Sequence, residues 1–157
     1  MKQGTIGKVS TTINASPEAV YNLVSDVHRM GEWSPETKRC EWIDGATGPE
    51  VGARFKGSNA NGRARWSTKP RVVAADRGRE FAFVTKHLGR DATKWSYHFE
   101  PAADGTVVTE SFEMLFSVPW YFRVSERLLM GVTDRHADLE RNMSETLQRL
   151  KTAAERA

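Results

Sequence analysis

The sequence predicts an α+β domain: a strand, two short helices, a meander of about six further antiparallel strands and one long C-terminal helix. Three observations carry this. Between Thr37 and Phe116 apolar and polar residues alternate, and turn pairs recur at Asp44-Gly45, Asn61-Gly62, Arg77-Gly78 and Asp104-Gly105. Beyond Pro119 the apolar period changes to three or four residues. Ahead of the meander, Ser16-Pro17-Glu18 supplies an N-cap serine, a proline at the first helical position and an acid in the first turn, where the helix dipole favours it.

Taken in order, Lys8 to Asn14 alternates Val9, Thr11 and Ile13 with polar neighbours and reads as the first strand. Val20, Leu23, Val24 and Val27 then make the apolar face of a short helix that Gly31 and Pro35 end. The stretch His28 to Pro35 is too broken for a regular element, and Trp33 within it reads as a packing anchor. The strands of the meander turn inward Cys40 and Trp42, Phe55, Trp66 with Thr68, Phe81 with Phe83, Trp95 with Tyr97 and Phe99, and Val108 with Phe112, Met114 and Phe116. Nearly every strand offers an aromatic ring to one face, which predicts a sheet curved around a core or a cavity. In the last forty residues Leu128, Leu129, Val132, His136, Leu139, Met143, Leu147 and Leu150 form the stripe of a single helix starting near Pro119. Gly131 inside it marks a bend or a close contact. The opposite face, with Asp134, Asp138, Glu140, Arg141, Glu145 and Arg149, should be solvated.

The 157 residues suffice for one domain, 1–157, with a core that needs no staple, and no repeat or linker divides them. The single cysteine, Cys40, excludes an intrachain disulfide framework and reads as a small buried apolar residue. Four scattered histidines, His28, His87, His98 and His136, make no metal motif, and no phosphate loop or nucleophile elbow is present; no metal and no cofactor are expected. His87 and His98 read as ordinary strand residues. No export signal is evident in Met1-Lys2-Gln3-Gly4 and its polar sequel, and no apolar run reaches the ~18 residues of a membrane span, so a cytoplasmic protein is expected.

The net charge of +3 is unevenly distributed. Residues 54–94 carry 11 basic and 3 acidic side chains, while residues 1–53 carry 5 and 7 and residues 95–157 carry 7 and 10. Within the central segment Arg54, Lys56, Arg63, Arg65, Lys69 and Arg71 take the strand parity opposite to Phe55, Trp66 and Val72. A half-buried sheet with a basic outer face follows. Such a face either docks anionic partners or discourages edge pairing.

This element order, together with Ser16-Pro17-Glu18-Ala19-Val20-Tyr21, Glu32-Trp33-Ser34-Pro35 and Glu145-Thr146-Leu147-Gln148-Arg149-Leu150-Lys151, resembles the START-like (SRPBCC) superfamily over essentially the whole chain. The resemblance is greatest to its bacterial polyketide cyclase/dehydrase and lipid-transport-type branch. It implies a helix-grip fold, a curved antiparallel sheet of about seven strands wrapped around a long C-terminal helix with a hydrophobic cavity between them. It also implies a choice among lipid carriers, hormone and pollen-allergen-type binders, aromatic-polyketide cyclases, quinone binders and ribosome-associated proteins, which fold alone does not make.

An aromatic sheet face opposed to a Leu, Met and Val helix stripe is the lining expected of an apolar pocket. The expected ligand-binding residues are Trp42, Phe55, Trp66, Phe81, Phe83, Trp95, Tyr97, Phe112, Met114, Val132, Leu139 and Met143. Two polar residues fall on otherwise apolar faces: Glu110 on a strand and His136 on the long helix. A buried carboxylate is costly unless paired or protonated. If the two meet in a cavity, they form an acid–base pair suited to enolisation or dehydration of a carbonyl substrate; otherwise each bonds a backbone group, a water or a neighbouring arginine. His28, Trp33 and Tyr121 are further candidates at a cavity entrance.

Three functions follow. The first is binding or transport of a hydrophobic small molecule, such as a lipid, a polyketide-like aromatic or a quinone. The second is a cyclase or dehydratase using Glu110 and His136. The third is an RNA- or ribosome-associated module using the basic face, although no specific nucleic acid is expected as partner. A monomer or homodimer is expected.

Overall fold

The computed structural model describes residues 1–156. Strand β1 (Ile6–Ile13) leads to Ser16, whose hydroxyl accepts the Ala19 N–H at 3.2 Å and caps α1 (Pro17–Ser25). A 3-10 turn (Val27–Arg29) and α2 (Met30–Trp33) follow. Trp33 is buried beneath the Arg29 guanidinium, 5.2 Å above its ring, and so anchors its loop as the sequence suggests.

The meander comprises β2 (Thr37–Ile43), β3 (Arg54–Asn61), β4 (Ala64–Thr68), β5 (Arg71–Asp76), β6 (Glu80–His87), β7 (Arg90–Ala102) and β8 (Gly105–Met114). With β1 they form one antiparallel sheet in the order β1-β8-β7-β6-β5-β3-β2, and β4 folds back on β3. The expected turns at Asp44-Gly45, Asn61-Gly62 and Asp104-Gly105 join strands, as does one at Leu88-Gly89 that the sequence does not announce. Leu88 there sits in the left-handed region at φ 51°, a conformation for which a leucine gives no signal. The inward parity is as expected. Along β8 every second residue is buried, Thr106, Val108, Glu110, Phe112 and Met114, and β7 pairs with it in continuous register from Thr93↔Met114 to Ala102↔Gly105.

The C-terminal region differs from a single helix. The chain forms α3 (Trp120–Ser125), a π-helical turn (Glu126–Met130), a short link, and then α4 (Arg135–Arg156). Gly131, at φ 70°, is the break: its left-handed conformation ends the first piece as a C-cap glycine does. The apolar stripe therefore restarts. Leu139, Met143, Leu147 and Leu150 face the sheet from α4, while Leu128 and Leu129 are 63% and 47% exposed on the first piece. Asp138, expected in solvent, is buried.

Gly62, in the β3–β4 turn, fixes the first piece to the sheet. A Cβ there would lie 2.7 Å from the Leu129 carbonyl oxygen, so only glycine permits the approach. The Arg63 N–H donates to that oxygen at 2.7 Å and its guanidinium to the Leu128 carbonyl at 3.1 Å.

The two ends of the grip are filled differently. At one end α1 and the C-terminal half of α4 press on the sheet, and Val20, Tyr21, Val24, Phe81, Phe99 and Leu150 pack without gaps, the Tyr21 ring meeting Phe99 edge-on at 5.8 Å. Substituting Phe81→Ala is expected to cost about 3–5 kcal/mol in denaturant unfolding, as for other large core truncations. At the other end, beside Leu139 and Met143, the space between helix and sheet is open.

Candidate functional site

That open end is a cavity of about 550 Å³, walled by the inner face of the sheet, the N-terminal half of α4 and the inner side of α3 with its π-helical turn. The sheet curvature and the large rings keep it from collapsing: Phe55 meets Phe83 edge-on at 5.1 Å, and Trp95 stands beside them. Of the expected binding residues, Phe55, Trp66, Phe83, Trp95, Tyr97, Met114, Leu139 and Met143 come together on its wall.

Four do not. Phe81 belongs to the solid core beneath Tyr21. Trp42 packs edge-on behind Phe55 at 5.7 Å, outside the wall. Phe112 fills a second cluster with Met114, Leu139 and Met143, and Val132 falls in the link after Gly131. The expected pairing of Glu110 with His136 is also not formed. His136 stands on the far side of Phe112, whose ring it meets at 5.5 Å, and it binds Glu140 at 3.1 Å on a partly exposed face. Its neighbour Arg135 and the later Leu139 turn toward the cavity from the same helix, while His136 itself does not line it. His28 and Tyr121 are exposed and lie off the wall, as does Trp33.

Glu110 is where the sequence puts it, on the wall and 4% exposed. Its Oε1 accepts the Tyr97 hydroxyl at 2.9 Å, and its Oε2 has no hydrogen-bond partner. Burial pushes the carboxyl up to about 8, against the smaller opposing effect of the Tyr97 hydrogen bond. Tyr97 is driven well above its ordinary range by the same burial and by the adjacent acid. Burial thus favours the uncharged form of both groups. Cys40, also on the wall, is a buried thiol pushed up to about 12 and is chemically inert.

His87, read from sequence as an ordinary strand residue, borders the cavity at the end of β6. Its ring stacks on Phe116 at 6.0 Å and meets Phe122 of α3 edge-on at 4.9 Å, and Nε2 has no partner. The unannounced Leu88-Gly89 turn hides this role in the sequence. His98 does behave as a surface strand residue, 2.9 Å from Glu80.

A polar cluster closes one side of the cavity, and no local sequence signal marks it. Arg135, at the start of α4, grips Glu36 with both terminal nitrogens and bonds Asp138 at 2.6 Å. Asn61 donates to Glu36 at 2.9 Å and Asn142 donates to the same carboxylate at 3.1 Å. Burial works against the Arg135 charge, but the hydrogen bonds to Glu36 and Asp138 outweigh it and hold its pKa above the usual value. The cluster ties β2, β3 and α4 together around the opening.

The basic face is present in part: the Arg63 guanidinium bonds the Leu128 carbonyl, and Arg65 borders the cavity. Arg54, Lys69, Arg71 and Lys86 line a shallow groove on the outer side of the sheet, with Arg54 bound to Asp44 at 2.8 Å and Arg71 to Asp91 at 3.4 Å. Among the described residues no cluster of His, Cys, Asp and Glu is placed to hold a metal, and no helix is long and apolar enough to cross a membrane.

A curved antiparallel sheet gripping a C-terminal helix over an apolar cavity defines a helix-grip protein. The family described as polyketide cyclase/dehydrase and lipid transport matches residues 6–155, and the chain belongs to it. A polyketide-cyclase-like protein of Corynebacterium glutamicum is 32% identical, with a TM-score of 0.64 over 99% of this chain and 94% of that one. The fold is shared more distantly by the di-domain ARO/CYC protein StfQ of the steffimycin biosynthetic pathway, at 13% identity and a TM-score of 0.72 over 96% of this chain and 50% of that one. A major latex-like protein of Panax ginseng is likewise similar, at 17% identity and a TM-score of 0.68 over 96% and 99%. A search of the curated proteins gives no match.

Proposed function

We propose that this protein binds, and by binding carries, a hydrophobic small molecule of the lipid, polyketide-like aromatic or quinone type. The observation that carries the reading is the apolar cavity of about 550 Å³ between sheet and helix, a volume suited to a ligand of this class. Edge-on rings such as Phe55 and Phe83 hold part of its wall, and Met30, Met114, Met130 and Met143 give the rest the adaptability to fit an apolar shape. Catalysis by Glu110 and His136 is not part of the proposal, since His136 is not among the residues lining the cavity and pairs with Glu140.

Native mass spectrometry of gently purified protein is expected to show an apolar adduct, or, after delipidation, uptake of a fluorescent apolar probe at micromolar concentration. Ala92, buried on the cavity wall, offers the control. Ala92→Phe fills the space and is expected to weaken uptake at least tenfold while the fold persists. Absence of both adduct and probe uptake in the unmodified protein would overturn the reading.

A further inference from the structure

Among the described residues two buried side-chain polar atoms have no partner within the protein, Glu110 Oε2 and His87 Nε2, and both belong to residues on the cavity wall. Buried polar atoms in folded proteins are nearly always satisfied, so a pair of exceptions bordering one cavity calls for a partner from outside the chain. Their positions on the sheet are far apart. Glu110 pairs with Tyr97, whereas Met114, four residues and roughly 14 Å along β8, pairs with Thr93, and His87 opposes Arg90 beyond that point.

The chemistry at Glu110 is directional. Tyr97 donates to Oε1, so the hydrogen of the un-ionised acid resides on Oε2 and needs an acceptor. Burial keeps that hydrogen in place at neutral pH. Of the cations bordering the cavity, Arg135 is saturated by Glu36 and Asp138, Arg65 bonds the Gly62 and Ala64 carbonyls, and the exposed Lys86 stands next to His87 at the end of β6, away from the strand level of Glu110, so a ligand carboxylate placed at Glu110 finds no counter-charge. An uncharged oxygen is what the site accepts.

Resting on the binding function proposed above, we infer that the ligand is elongated and largely apolar, with a carbonyl-type oxygen at its leading end that accepts from Glu110 and a second oxygen near its trailing end that meets His87. Ketones, esters and quinones have such an acceptor; hydrocarbons and free fatty acids lack it or carry charge.

Matched probes test this by isothermal titration or fluorescence. They are 2-pentadecanone against 2-methyl-1-pentadecene and 1-acetylpyrene against 1-isopropenylpyrene, pairs that differ only in C=O against C=CH₂. In the wild-type protein the ketone is expected to bind about tenfold tighter than its alkene. Glu110→Gln, which keeps a donor, retains the preference, and Glu110→Met abolishes it. Pentadecane-2,14-dione is expected to bind tighter than 2-pentadecanone, with that gain lost in His87→Leu. Equal binding of ketone and alkene, or a preference unchanged in Glu110→Met, overturns the inference while leaving the binding function standing; a dione no tighter than the monoketone overturns its His87 part. If no probe binds any variant, both fall together. Glu110→Gln keeps an acceptor for the buried Tyr97 hydroxyl whereas Glu110→Met leaves it unpaired, so circular dichroism checks that each variant is folded and Glu110→Gln keeps the test decisive if Glu110→Met is not.

Discussion

Replacing Glu110 with glutamine is expected to stabilise the protein at pH 8 and to change little at pH 4. The carboxyl titrates near 8 in the folded protein and near 4.5 when unfolded. Below pH 4.5 it is protonated in both states and contributes no pH dependence. Between 4.5 and 8 the unfolded chain releases the proton while the folded chain retains it, so stability falls as pH rises. By pH 8 the accumulated loss is on the order of 3–5 kcal/mol. Glutamine has the same shape, still accepts from Tyr97 and never ionises. The variant should therefore melt roughly 10 °C higher at pH 8. Thermal unfolding of both proteins from pH 4 to 9 measures it; parallel pH profiles would mean that Glu110 is ionised in the folded state and that its Oε2 carries no proton.

Arg135→Met is expected to have the opposite effect, a loss of about 3–5 kcal/mol at pH 7, because it removes the only cation bound to the buried Glu36 and leaves Asp138 with the exposed Arg141 alone. Glu36 and Asp138 have side chains only 16% and 12% exposed, and Asn61 Nδ2 reaches both, at 2.9 and 3.3 Å. Urea unfolding at pH 7 checks the loss. A change under 1 kcal/mol at pH 7 would show the cluster to be well solvated.

These two sites were unequally legible in the sequence. Glu110 was visible because strand parity is local: the alternation around it leaves one acid among Val108, Phe112 and Met114, and any register that buries them buries it. The Arg135 cluster was not, since Glu36 lies 99 residues away and neither residue breaks a local pattern. The element order, the Ser16 cap and the aromatic face were readable for the same local reason. The placing of Leu128, Leu129 and Val132 in one stripe with Leu139 fails by phase. A helical period extrapolated through Gly131 treats two pieces as one, and the left-handed residue resets the rotation, so the stripe before it predicts nothing about the stripe after. Nor does alternation tell which aromatic rings meet α1 and which meet empty space. Phe81 and Phe83 share a parity and a strand, but only Phe83 reaches the cavity, because Tyr21 covers the other.

The interruption at Gly131 also bears on how long the ligand proposed above would stay. Had one helix run from Pro119 to Arg156, uncovering the cavity would mean unwinding the element that holds the core. As built, the covering piece has no helical hydrogen bonds continuous with α4 and meets the sheet through the Arg63 bonds to Leu128 and Leu129 and the Phe122 ring against His87. Residence time would then be set by local opening at these few contacts rather than by global unfolding.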